Sequence, residues 1–356
     1  VSEAVLPRVP WRRWSLAIAL LLGGCGARTE LAVSFDAAVS PPNSVPDAAP
    51  DTPPPAPACV PGAAPTSLVI VESKASVLAV DEQNVYFIRD RPGSSDAPTL
   101  ESVPKTGGSS TQLAIVPTGT WQQMLATATT IYLLQETAIY WVPKTGGTVT
   151  TLESNVDDMF WDMAEDDGFL FALGEAALVK WPTAGGPRQT VVQVPPTTVN
   201  YGLLNLHIAQ HTLYWSDTNG DLHASAEDGT GDQVVFHTTQ INDFVTDGST
   251  AYVWIETFGP AHSMVSVPLT GAPSSTLLDG SRLSADGFAE DGALLSPTQL
   301  YWSESGFAKA GMLGLYELAL PDGTPTLLTP EQPYVIEQDA SCLYWMSGDA
   351  VRIVAK

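Results

Sequence analysis

Five histidines and two acidic runs are the residues whose types could do chemistry at neutral pH. His207, His211, His223, His237 and His262 lie within one stretch of the chain, and imidazole serves as metal ligand or general base. Asp157-Asp158 with Asp162, and Glu165-Asp166-Asp167, offer the clustered oxygen donors that calcium takes. Neither run has the spacing of an EF-hand calcium loop, and acidic turns on an acidic chain are usually solvated. The histidines match no zinc pattern. His207 and His211 would share a face only on a helix, whereas their surroundings read as strand followed by turn. The sequence has no Gly-x-Ser-x-Gly elbow and no Ser-His-Asp order, and Gly107-Gly108 and its relatives lack the spacing and following helix of a phosphate loop. No catalytic residue, metal ligand or cofactor is therefore assigned, and calcium is left without support.

The overall charge narrows the partners. With 15 Lys and Arg against 39 Asp and Glu, the formal net charge is −24, which makes nucleic acid and anionic lipid headgroups poor partners. The cations are also unevenly placed. Arg8, Arg12 and Arg13 precede the apolar run Leu16 to Leu22, which ends in Leu22-Gly23-Gly24-Cys25. That is a positive n-region, a short apolar region and a small-residue cleavage site, too short to span a bilayer as a mature helix. These four residues resemble the lipobox of bacterial lipoproteins. The resemblance implies a signal peptide over 1–24, lipidation of Cys25, and a place in the bacterial cell envelope, periplasmic or surface-exposed. Gly26 is compatible, by the same resemblance, with export to the outer membrane.

Residues 25–65 then read as a tether. They are rich in Pro and Ala, include Pro53-Pro54-Pro55, and show almost no apolar periodicity, a composition that favours an extended, solvated spacer. Two further cysteines remain, Cys59 and Cys342. An even pair in an exported protein predicts one disulfide.

From residue 66 onward one pattern repeats. Leu213-Tyr214-Trp215-Ser216-Asp217 is copied around Tyr86, Tyr132, Phe171, Tyr252, Tyr301 and Tyr344, at intervals of 38 to 49 residues, the period of one four-stranded propeller blade. Short β-rich runs separated by turn residues fill each unit, and no convincing long helical period interrupts them. A glycine turn joins the third and fourth strands of six units, at Gly107, Gly146, Gly185, Gly229, Gly271 and Gly323. It is expected to be a type I turn followed by a left-handed residue. Pro104, Pro143, Pro182 and Pro268 stand before four of these turns, where a strand can lose a donor cheaply.

Seven aromatic segments but six glycine turns leave the last unit one strand short. Ser67-Leu68-Val69-Ile70-Val71 supplies the missing strand. The expectation is an all-β propeller over 66–356 with seven four-stranded blades, the N-terminal strand closing the last, six or eight blades being the competing counts. Closure removes an exposed sheet edge. Cys59 lies in the chain leading into that strand and Cys342 begins strand two of the last unit, so the expected disulfide would lock the closure.

Leu213-Tyr214-Trp215-Ser216-Asp217, followed by Glu227-Asp228-Gly229-Thr230, resembles the YWTD repeat of low-density-lipoprotein-receptor-like propellers; Tyr301-Trp302-Ser303-Glu304 and Tyr344-Trp345 resemble it more weakly. Those receptors have six blades rather than seven. The resemblance implies a propeller with a scaffold or binding habit and carries no catalytic residue across. Paired aromatics such as Tyr214-Trp215 read as core, because blade sheets are covered on both faces.

Loop length points to a face. From anchor aromatic to turn glycine, units two to four take 14 or 15 residues, whereas units one, five and six take 19 to 22. The extra length falls in the loops between strands two and three. Long loops on a rigid scaffold are where binding residues are usually placed, which selects Arg89, Arg91, Phe258, His262, Phe307 and Lys309 as candidate contacts. Three of these are cations on an acidic domain, suited to an anionic or carbohydrate partner. The expected function is an exported, lipid-anchored, non-catalytic binding or scaffold module for a protein or carbohydrate ligand. The alternative is a metal-dependent propeller hydrolase or lyase, lactonase-like, with acidic or amide ligands converging on the central channel.

Overall fold

The computed structural model describes residues 59, 63–71, 77–90, 96–154, 159–175, 177–193, 203–255, 263–279, 292–304, 314–321, 323–331, 333, 335–348 and 350–356. Among them every regular element is a β-strand. In chain order the first is β1 (Thr66–Ile70). Blade one follows as β2 (Leu78–Val80), β3 (Asn84–Arg89), β4 (Thr99–Pro104) and β5 (Thr111–Ile115). Blade two is β6 (Trp121–Ala126), β7 (Thr130–Gln135), β8 (Ala138–Pro143) and β9 (Thr150–Ser154). Blade three is β10 (Phe160–Asp166), β11 (Phe169–Gly174), β12 (Ala177–Pro182) and β13 (Gln189–Gln193). Blade four is β14 (Leu203–Ala209), β15 (Thr212–Asp217), β16 (Asp221–Ala226) and β17 (Gln233–His237). Blade five is β18 (Ile241–Thr246), β19 (Thr250–Ile255), β20 (Ser263–Pro268) and β21 (Ser275–Leu278). Blade six is β22 (Ala293–Leu295), β23 (Gln299–Glu304), β24 (Gly314–Ala319) and β25 (Thr326–Thr329). Blade seven is β26 (Val335–Gln338), β27 (Cys342–Ser347) and β28 (Ala350–Ala355), completed by β1.

Each blade is an antiparallel sheet, and the first strands of successive blades touch one another around the ring, β26 meeting β2 to close it. The aromatic pairs explain why these sheets stack. Successive residues of a strand project to opposite faces. The anchor therefore points to the next blade and its neighbour to the preceding one: Tyr214 packs with Phe244 and Val253 of blade five, Trp215 with Phe171 and Leu173 of blade three. The core is accordingly seven apolar layers, one at each blade junction. Trp215, Trp302 and Trp345 are among its fully buried side chains, each worth several kcal/mol at about 25 cal/mol per Å² over the roughly 150–250 Å² an aromatic buries.

The closing strand pairs as its sequence predicts. Thr66 lies opposite Ile353 and Ile70 opposite Ala350, with a register shift between Ser67 and Val69. Cys59 and Cys342 are joined by a disulfide, with Cα atoms 6.2 Å apart. It ties the chain entering β1 to the start of β27, and Cys59 packs on the layer between blades seven and one.

The glycine turns need their glycines for two reasons. Gly229 sits at φ 82°, and a Cβ there would come 2.1 Å from the Val191 carbonyl oxygen of blade three. Gly323 departs from the expected left-handed geometry, having no positive φ. There the requirement is close approach, because a Cβ would lie 2.4 Å from the Ala319 carbonyl oxygen.

Candidate functional site

The first strands, which meet one another around the ring, carry polar side chains where a metal-dependent propeller enzyme would draw its ligands. β6, β10, β14 and β18 each carry a bulge near the same register position, which aims a polar residue at the next blade. Gln123 donates from Nε2 to the Met163 carbonyl (3.0 Å) and accepts the Met163 N–H at Oε1 (2.6 Å). Asp162 accepts the Leu206 N–H at Oδ2 (2.9 Å). Asn205 donates to the Asn242 carbonyl (3.0 Å), and in blade seven Gln338 donates to the Leu295 carbonyl of blade six (2.7 Å). These groups stitch blade to blade. Glu337 on β26 is half-buried, and burial pushes its carboxyl up to about 8, so it is largely uncharged at neutral pH.

A second polar belt lies where the turn after each third strand meets the turn between the first two strands of the preceding blade. Lys144, just after β8, places Nζ 2.6 Å from Oδ2 of Asp81, which also accepts the Tyr86 hydroxyl at 2.7 Å. Lys105, just after β4, repeats this with Asp339 (2.5 Å) and Tyr344 (2.8 Å). Each ammonium also lies over the ring of that tyrosine. Burial alone would raise both aspartates. The lysine, the tyrosine and two backbone N–H groups outweigh it and hold each near 2.

The same register position is acidic between blades three and four. Glu227 follows β16 as Lys144 follows β8, Asp166 precedes β11 as Asp81 precedes β3, and Phe171 stands where Tyr86 does. Two tight turns bring the rest of the cluster in. Asp167-Gly168 links β10 to β11 and Gln210-His211 links β14 to β15, with Asp167, Gln210 and His211 all at positive φ. His211 Nδ1 lies 2.9 Å from Asp166 Oδ2, 3.3 Å from Asp167 Oδ2 and 3.8 Å from Glu227 Oε1. Asp167 and then Asp166 raise the His211 pKa, while burial, and then the same two carboxylates, raise that of Glu227.

A third cluster, on blade four, gathers Asp217, Asp221 and His223. Its members are already engaged. Asp217 Oδ1 caps the turn by accepting the Asn219 and Asp221 N–H groups. His223 is 3.0 Å from Asp232 and stacks on Trp215, while Asp221 is 2.6 Å from His237. Burial lowers the His223 pKa, but Asp217 and Asp232 outweigh it and raise it overall.

Of the residues selected for the long-loop face, Arg89 is described. Its guanidinium is bound to Glu101 (2.7 and 2.9 Å), the Val71 carbonyl and Ser110, which fastens β3 to β4 and to the chain leaving β1. Arg91, Phe258, His262, Phe307 and Lys309 lie outside the described residues, as do Cys25, Asp157 and Asp158. His207 is half-buried against Phe244, where the loss of solvent lowers its pKa to about 4. Reading the histidines and the acidic runs separately missed their meeting at one junction. The available signal was the substitution of Glu227 for lysine when the turns are aligned by register.

These features define a seven-bladed β-propeller with polar interblade belts. No protein-family model matches the chain, and neither does any curated protein. Among solved structures, it is similar to an oligogalacturonate lyase in complex with manganese (10% identity, TM-score 0.62, covering 82% of this chain and 92% of that one). It is likewise similar to BamB from Moraxella catarrhalis (14%, 0.51, 79% and 83%) and to a computationally designed protein (10%, 0.53, 82% and 98%). At such identities these likenesses establish the fold and carry no residue across.

Proposed function

We propose that the chain is an exported, lipid-anchored propeller of the bacterial cell envelope that acts as a non-catalytic binding or scaffold module. The observation that carries this reading is the engagement of Gln123, Asp162, Asn205 and Gln338 with the backbone of neighbouring blades. That engagement supports a structural role for these side chains in joining blade to blade. The anchor reading rests on Leu22-Gly23-Gly24-Cys25, and the Pro/Ala-rich residues 25–65 would lift the ring off the membrane. The long loops would serve as the binding face for a protein or carbohydrate ligand, with Arg91, Phe258, His262, Phe307 and Lys309 as the candidate contacts selected from the sequence. Expression in a bacterial host tests the anchor: the chain should fractionate with outer membranes and Cys25→Ala should release it, whereas a soluble wild type would refute the anchor. Turnover of sugar-acid or lactone substrates that requires added Mn²⁺ and is lost in Asp162→Asn would instead establish the metal-dependent hydrolase or lyase.

A further inference from the structure

We infer that Asp166, Asp167 and His211 bind a divalent transition-metal ion of the zinc or manganese class at the junction of blades three and four, in the place a lysine ammonium fills at two other junctions. The donor atoms of these three residues all lie within 4.8 Å of one another, which suits an ion about 2.0–2.2 Å from each. The mixed set of one imidazole and two carboxylates favours zinc or manganese over calcium, which takes oxygen ligands.

The internal repeat supplies the independent argument. At the junctions of blades seven and one, and one and two, the aspartate faces a cation and a tyrosine hydroxyl. At this junction the corresponding side chains are Glu227 and Phe171, neither of which offers a positive charge. Glu227 Oε1 is buried with no hydrogen-bond partner and is aimed at the cluster, 3.8 Å from His211 Nδ1. Lys180 does reach this junction, but its Nζ is directed to the Glu227 backbone carbonyl (2.8 Å) and lies over Phe169 and Phe171. Three carboxylates therefore share one site with a single imidazole, which can offset at most one of their charges, so a divalent cation would balance the site more fully. The site is also open to one: the side chains of His211 and Asp167 are 65% and 66% exposed, while the more engaged Asp217–Asp221–His223 cluster offers fewer free donor positions.

The test is equilibrium dialysis of the EDTA-stripped full chain against ZnCl₂, MnCl₂ and CaCl₂, paired with thermal melts. One zinc or manganese should bind per chain and raise the Tm by about 5 °C at saturating metal, with calcium giving no comparable shift. His211→Asn, a residue that tolerates positive φ, and Asp167→Asn should each abolish the bound equivalent, whereas His223→Gln should retain it. Glu227→Lys should raise the Tm in EDTA and no longer respond to metal. Absence of a stoichiometric equivalent, or an equivalent undiminished in His211→Asn, would overturn the inference. Because His211→Asn changes an exposed turn residue, that arm reads out even if Glu227→Lys fails to fold.

Discussion

Asp81 and Asp339 each gather a lysine, a tyrosine hydroxyl and two backbone N–H groups, and what these groups contribute depends on pH in a definite direction. Their carboxyls are held near 2, below the ordinary 3.8. That stabilisation is present above about pH 4 and is lost as pH falls through 2. Lys144→Met leaves Asp81 without its cation, so a loss of about 1–2 kcal/mol is expected. A double-mutant cycle with Asp81→Asn should show the two changes to be less than additive. Glu337 behaves in the opposite sense. With its carboxyl raised from 4.5 to about 8, its contribution is full below pH 4.5 and is lost as pH rises through 8. Denaturant melts between pH 5 and 9 should therefore show declining stability in the wild type and a flatter profile in Glu337→Gln. None of these pairings was legible in the sequence: Lys105 and Asp339 are 234 residues apart and Lys144 and Asp81 are 63 apart, so their meeting depends on cross-blade register.

Strands and turns were far more legible, because their signals are local. A strand covered on both faces must be apolar on consecutive residues, and the aromatic segments at Tyr86, Tyr214 and Tyr344 accordingly mark β3, β15 and β27. Turn glycines mark the ends of third strands, with Gly323 the exception in backbone angle. β1 was legible by counting rather than by pattern, since β26, β27 and β28 lack a fourth strand without it. Deleting residues 66–72 should expose the edge of β28 and open the layer containing Leu68 and Val71, lowering the Tm by more than 10 °C on the order expected for several buried aliphatic side chains. Deleting residues 29–55 should leave the Tm unchanged, which a pair of thermal melts will decide.

At the scale of the whole molecule, the blades follow one another in sequence, and each touches its neighbours around the ring, so the ring has one junction where sequence order does not supply continuity. The Cys59–Cys342 disulfide spans 283 residues at that place. Replacing both cysteines with serine should cost about 2–5 kcal/mol, read as a lowered denaturant midpoint with an unchanged slope. Loop length is legible from spacing, whereas the ligand a loop would hold is not, because spacing carries no information about which side chains meet. The N-terminal strand β1 closes the ring, and native-state hydrogen exchange of the full chain measures that closure directly. The interstrand amides of Thr66–Ile70 should exchange slowly and in step with those of Ala350–Ala355. Exchange of Thr66–Ile70 at the rate of an unstructured peptide, with Ala350–Ala355 still protected, would contradict the closed seven-bladed ring.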